Sequence, residues 1–152
     1  MGTPAAAAVT LLGDVGKGVL PVLLARQLQF PESMAAYCGF CAFLGHLYPV
    51  FFNFQGGKGV ATALGVLAAL HWPSMVMVAG IWLAVGIVTH ISSLASITSF
   101  FFAPWVVLFP KPELFYPMAI LSAILILRHK ENMVLLLKGN ERSLKHNRNN
   151  QD

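Results

Sequence analysis

Charged residues are absent from three long stretches of this chain: between Glu32 and Lys58, between Lys58 and Lys111, and between Glu113 and Arg128. The longest apolar block, Gly59 to Pro110, would form roughly 78 Å of helix against a hydrocarbon core of about 30 Å. It must therefore cross or re-enter a bilayer more than once. Within it, Gly59 to Leu70 is apolar but only 12 residues long, about 18 Å and too short to cross. His71-Trp72-Pro73 stops it, because proline disfavours the helical state of its predecessor. Met75 to Thr89 and Ser93 to Phe109 follow, parted by a joint at 90–92, and Leu114 to Leu127 is the last segment. Upstream, Gly18 to Phe30 reads as a marginal segment at the interface. Met34 to Phe52 has 19 residues with His46 as its only ionisable group, long enough to span. Pieces shorter than a full span are expected of half-helices that line a polar cavity.

Composition agrees with the pattern. Of 152 residues 57% are hydrophobic and 11% charged, with mean hydropathy +0.68; soluble domains carry about 25% charged residues. A disordered chain, a collagen-like chain and an ordinary cytosolic enzyme are excluded. The expected fold is all-α: a polytopic integral membrane helical bundle with short or broken helices around a cytoplasm-facing polar site. No internal repeat or soluble second domain is apparent. Met1 to Ala8 carries no cation, and Asp14 and Lys17 interrupt any signal-like core. The net charge of +4 does not point to nucleic acid, because six of the ten Lys and Arg residues fall in the last 25 positions: Arg128, Lys130, Lys138, Arg142, Lys145 and Arg148. Basic residues flanking an apolar segment mark the cytoplasmic side. The chain divides into a membrane domain, 1–138, and a basic cytoplasmic tail, 139–152. Cys38 and Cys41 imitate a redox pair, but the strand-to-helix junction which that motif needs is missing, and a free Cys in an apolar run acts as a small hydrophobe.

Three stretches carry candidate chemistry. In Asn53-Phe54-Gln55-Gly56-Gly57-Lys58-Gly59, glycines around a lysine open onto a helix. Backbone N–H groups, the helix N-terminus and the Lys58 charge could together hold a phosphate. It is not a Walker A loop: Phe52 stands where the first glycine belongs, and Gly59 replaces the magnesium-binding hydroxyl residue. A flexible turn with a topogenic lysine accounts for the same residues. In Arg128-His129-Lys130-Glu131-Asn132, followed by Lys138-Gly139-Asn140-Glu141, a helix would set His129 and Asn132 on one face, able to hold a phosphate or a glycerol hydroxyl; a stop-transfer cap is the alternative. Thr89 to Ser99 is rich in small hydroxyl residues, suited to close helix packing or to a polar pocket wall. Asp14 and Lys17, one turn apart, read as a local ion pair.

Taken in order, these stretches resemble the bacterial acyl-phosphate:glycerol-3-phosphate acyltransferase family. Gly45 to Gly65 is similar to its central motif nearly letter for letter, Asp14 to Gly18 to an Asp-x-x-Lys-Gly stretch, Ser93 to Ile97 to its serine segment, and Arg128 to Glu141 to its closing His-x-x-Asn motif. The resemblance implies transfer of a fatty acyl group from acyl phosphate to the 1-hydroxyl of glycerol 3-phosphate, giving lysophosphatidic acid and inorganic phosphate. It implies a bilayer setting in the bacterial cytoplasmic membrane, a cytoplasmic C-terminus, and no metal or other cofactor. The site residues it implies are Lys58, Ser93, His129 and Asn132 as catalytic, with His46, Gly56, Gly57, Gly59 and Glu141 binding substrate and Glu141 structural in part. The family's first helix and Ser-Gly-Asn-Pro-Gly-Ala-Thr-Asn motif with its arginine have no counterpart before Leu11, and Leu135 stands where an arginine is usual. The resemblance thus implies a chain short at its N-terminus, whose residues 1–152 turn over slowly.

What the sequence lacks is consistent with this chemistry. None of its five histidines has an Asp five residues on, as soluble-type glycerolipid acyltransferases do, and no Gly-x-Ser-x-Gly elbow occurs. An acyl phosphate is already activated, so positioning and anion stabilisation can suffice. A small membrane anion or phosphate-ester transporter and a catalytically inactive membrane partner are the other readings that half-helices and a glycine loop admit.

Overall fold

The computed structural model describes residues 3–50, 53–54 and 56–141, and every regular element among them is helical. Helix α1 (Pro4–Gln27) begins well before the expected segment at Gly18. The Thr3 hydroxyl accepts from the Ala6 N–H, Pro4 occupies the first turn, and an alanine run with high helix propensity follows. Asp14 and Lys17 sit within the helix as an ion pair at 2.9 Å. Helix α2 (Glu32–Leu47) ends earlier than the expected Phe52, because Pro49 drives Tyr48 out of the helical region. Residues 51–52 lie outside those described.

The run from Val60 to Thr89 is broken at His71 (φ −156°, ψ 92°) into α3 (Val60–Leu70) and α4 (Trp72–Thr89). The expected stop therefore holds, but α4 starts at Trp72, three residues before Met75. The His71 Nδ1 accepts from the Ser74 hydroxyl at 2.8 Å and from its N–H at 3.3 Å, capping α4. Pro73, placed in that first turn, sacrifices no helical hydrogen bond. Then come α5 (Ser92–Leu108), a short 3₁₀ turn (Pro112–Leu114), α6 (Phe115–Arg128) and α7 (Lys130–Leu137).

A straight helix over Val60–Thr89 would part its ends by about 44 Å, yet Lys58, Trp82 and Ser92 line one cavity. Helices α3 and α4 therefore form a hairpin that descends and returns. Helices α1 and α2 do the same, which sets His46 beside Asp14, and α5 and α6 bring His129 back to Ser93. Close backbone contact makes this possible: a methyl group added at Gly18 would fall on the Thr62 carbonyl, and one at Gly65 on the Val15 carbonyl. Val22, Phe43, Leu47, Leu67, Phe100 and Leu125 are fully buried between the helices. Outward, Leu12, Val88, Phe109 and Tyr116 are 71–90% exposed, a surface suited to lipid. By length and composition α1 and α4 can each cross a membrane, and α3 and α5 are shorter apolar helices.

The end of the bundle opposite Lys58 is closed by Arg26. Its guanidinium donates to the Ala69 and Leu70 carbonyls, left without helical partners by the break at His71, and to both carboxylate oxygens of Glu32 at 2.8 and 2.9 Å. Arg26→Leu strands these acceptors together, and an unsatisfied buried carbonyl costs about 1–3 kcal/mol. Thermal unfolding in detergent should show a loss of about 2–4 kcal/mol for this variant; an unchanged midpoint would mean that the carbonyls are satisfied some other way.

Candidate active site

At the near end four elements converge. Gly59 precedes α3 with φ +81°, and a side chain there would strike Phe43, so glycine is required on both counts. Among the described residues no side chain caps α3, so the N–H groups of its first turn, where Val60 and Ala61 help to line the cavity, have no side-chain partner there. Lys58, just ahead of this turn, donates from Nζ to the Asn132 Oδ1 at 2.6 Å. The Asn132 Nδ2 donates to the Glu141 Oε1 at 2.6 Å, and the buried Ser93 hydroxyl donates to the same oxygen at 2.7 Å. A chain of hydrogen bonds thus joins the glycine loop, α7, the segment after it and the start of α5. The cavity around it, about 590 Å³, is polar at this end and walled by Leu11, Val60, Ala61, Leu64 and Trp82 at the other.

His129 lies past the end of α6, is only 2% exposed, and lines the same cavity. The expected single helix across 128–132 is broken at this residue: His129 closes α6 and opens α7. Its Nδ1 meets the Leu125 carbonyl at 2.8 Å. A carbonyl can only accept, so Nδ1 carries the proton and a neutral ring leaves Nε2 as an acceptor. Burial holds the pKa of His129 below its usual 6.5, aided by the Lys58 charge and opposed by the Leu125 hydrogen bond and Glu141. Glu141 differs. Burial alone would raise its pKa, but hydrogen bonds from Ser93 and Asn132, with the charge of Lys58 and the proximity of His129, more than reverse this. The carboxyl therefore sits below its usual range and is ionised at neutral pH.

The expected site residues divide. Lys58, Ser93, His129, Asn132 and Glu141 come together. His46, Gly56 and Gly57 line a second cavity of about 770 Å³ with Thr10, Asp14 and Lys17. There the Asp14 carboxylate lies 3.3 Å from the His46 Nδ1, and a methyl group on Gly57 would meet the His46 Nε2 at 2.7 Å. His46 thus supports the glycine loop from behind. The serine segment forms a cavity wall, with Ser92, Ser93 and Ser96 lining it, and a methyl group added to Gly86 of α4 would meet the Ala95 Cβ at 3.8 Å, an ordinary contact distance. Trp82 escaped the sequence reading. Its indole N–H donates to the Ser96 hydroxyl at 3.0 Å, and a tryptophan inside an apolar run, whose N–H needs a partner, was the signal. Arg128, read as a topogenic charge at the head of the closing motif and given no contact of its own, reaches the Gly56 and Gly57 carbonyls.

Glu141 holds Ser93 and Asn132 in place. Glu141→Ala should lower turnover about tenfold, the scale of one lost hydrogen bond, and Glu141→Gln should restore part of it because an amide oxygen still accepts. Kinetics on the two variants would check this; equal losses would mean that the charge matters and the acceptor geometry does not.

A lipid-facing helical bundle with a cation, a neutral imidazole and fixed hydroxyl and amide groups around a half-apolar cavity has the makings of a membrane enzyme acting on an amphiphile with an anionic head. A family model described as glycerol-3-phosphate acyltransferase matches residues 1–139. A glycerol-3-phosphate acyltransferase of Pseudomonas entomophila is 45% identical over 136 residues, covering 90% of this chain and 72% of the relative; one of Proteus mirabilis is 44% identical over 146 residues, 96% and 67%. Among solved structures, the lysophosphatidic acid form of PlsY, an integral membrane glycerol 3-phosphate acyltransferase, superposes with TM-score 0.85 at 34% identity, over 90% of this chain and 71% of that one. Its glycerol 3-phosphate form gives 0.84 at the same identity, over 90% and 70%. The chain belongs to the glycerol-3-phosphate acyltransferase family, and its helical architecture is that of this integral membrane enzyme.

Proposed function

We propose that this chain transfers a fatty acyl group from acyl phosphate to the 1-hydroxyl of glycerol 3-phosphate, releasing lysophosphatidic acid and inorganic phosphate. The observation that carries the reading is the gathering of Lys58, Asn132, Glu141, Ser93 and His129 at the polar end of one cavity whose other wall is apolar. An acyl phosphate has this shape, a charged head on a hydrocarbon chain. Lys58 and the open N–H groups of α3 hold a phosphate, a dianion being a stronger acceptor for Lys58 than the Asn132 amide. The His129 Nε2 accepts a hydrogen bond from the attacking hydroxyl and orients it. The C–O bond of the ester forms, the bond from the acyl carbon to the phosphate oxygen breaks, and the hydroxyl proton leaves on the phosphate. Catalysis is then positioning and charge stabilisation, with no covalent intermediate.

The same proposal places the protein in the bacterial cytoplasmic membrane as a multi-pass chain, with the site end and residues 139–152 in the cytoplasm. Lys17, Lys58, Arg128, Lys130 and Lys138 lie at the site end, whereas the far end holds Arg26 and Lys111, paired with Glu32 and Glu113. That asymmetry supports the orientation. Of the basic tail, 139–152, residues 142–152 lie outside the described residues. The test is phosphate release from acyl phosphate, followed in detergent or lipid mesophase with and without glycerol 3-phosphate. Release that requires glycerol 3-phosphate supports the reading. Acyl transfer from an acyl-carrier thioester, with acyl phosphate inert, would replace the donor.

A further inference from the structure

We infer that Arg128 is a positioning residue of the transfer reaction, clamping the glycine loop so that its amides face away from the clamp; the inference rests on the acyl-phosphate reading above. The Arg128 Nη2 donates to the carbonyls of Gly56 and Gly57, each at 3.3 Å, and its guanidinium carbon lies 5.4 Å from the centre of the Tyr48 ring. Two successive carbonyls on one nitrogen and an aromatic face against the guanidinium thus fix the group; a lysine has no planar head to lay on the ring while it reaches both carbonyls. In a trans peptide the C=O and the following N–H point in opposite directions. Drawing the Gly56 and Gly57 carbonyls toward Arg128 therefore turns the N–H groups of Gly57 and Lys58 to the opposite side of the loop. Among the described residues no acceptor meets either amide, so the side they turn to is the one an anionic oxygen would approach.

The loop is held from its other sides as well. A methyl group on Gly56 would run into the His46 and Leu47 carbonyls, so the chain is pressed on the end of α2. Arg128, at the end of α6, meets the loop beside a cavity of about 620 Å³ lined by Tyr48, Lys58, Leu127 and Lys130. Since Arg128 adjoins His129 and the glycines adjoin Lys58, the clamp also sets the distance between the two residues on which the reaction depends. The loop faces the donor phosphate, whose negative charge grows as the bond to the acyl carbon breaks, so loss of the clamp lowers kcat with little change in the KM for glycerol 3-phosphate.

The experiment is steady-state kinetics of glycerol 3-phosphate-dependent phosphate release by the full chain and by Arg128→Lys, with a thermal midpoint for each. The lysine keeps the topogenic charge and the general positive field. The expected result is a fall in kcat of thirtyfold or more, KM for glycerol 3-phosphate within about threefold of wild type, and partial recovery of Arg128→Ala activity by added methylguanidinium. A wild-type kcat in Arg128→Lys overturns the clamp, and so does a raised KM at unchanged kcat, which would make Arg128 a substrate contact. If Arg128→Lys unfolds, Tyr48→Leu takes its place: it removes the ring under the guanidinium and leaves both carbonyls, and an unchanged kcat there overturns the inference. Slow release that still requires glycerol 3-phosphate keeps the acyl-phosphate reading, transfer from a different acyl donor removes that reading and this inference with it, and an equally active lysine variant removes the clamp alone.

Discussion

Replacing Lys58 with alanine should cost about 2–3 kcal/mol of substrate binding or transition-state stabilisation, a loss of roughly 30- to 150-fold in kcat/KM. The size follows from what the residue faces. Nζ is exposed at the mouth of the cavity, and its protein partner is a neutral amide oxygen at 2.6 Å. Losing that contact alone removes one hydrogen bond near solvent, worth about 1 kcal/mol. The remainder is the charge-assisted contact to phosphate, so the effect should be far larger on kinetics than on stability. Steady-state kinetics on purified Lys58→Ala, with a thermal midpoint within a few degrees of wild type, make the comparison. Unaltered kcat/KM would show that the α3 amides bind phosphate without the lysine and would remove it from the site.

Much of this could be read from the chain. The glycine loop, the stop at His71 and the serine segment were visible because each depends on local chemistry: glycine at a positive φ, proline at a helix start, small hydroxyl residues between apolar ones. The helix limits were less legible. Proline at position 49 cut α2 short, and alanines outweighed the charges in α1, since Asp14 and Lys17 neutralise each other across one turn. What the sequence could not show is which candidates share a space. His46 and Lys58 lie in the same motif, yet the loop between them turns His46 to the rear, beside Asp14. Ser93 and Glu141 are 48 positions apart and meet at 2.7 Å. The α3–α4 hairpin decides that meeting, and it depends on Arg26 taking two carbonyls more than 40 residues downstream. No pattern of spacing encodes such a contact.

The sharper test of the site falls on His129. A stop-transfer cap should tolerate His129→Lys, which keeps or adds positive charge at the end of α6. The site reading expects the opposite: insertion intact, and activity down by about 100-fold or more. Lysine has no acceptor to replace Nε2, and its ammonium would enter a position that is 2% exposed in the native chain. The pH profile gives a second readout. Burial, first among the causes, holds the pKa of His129 below 6.5. The ring therefore stays neutral, and Nε2 available, down to a pH below that of a free imidazole; activity should fall only as the pH drops through this lowered value. Stability follows the same sign. Below 6.5 the unfolded chain binds the proton more readily than the folded one, so stability is full above 6.5 and is lost as the pH falls toward the folded-state value. In His129→Gln, which cannot titrate, the part of this acid-side loss that belongs to the ring should vanish. Full activity in His129→Lys, or an acid limb in wild type that His129→Gln leaves unmoved, would assign the residue to the membrane edge and leave the hydroxyl to be oriented by Ser93 and Asn132.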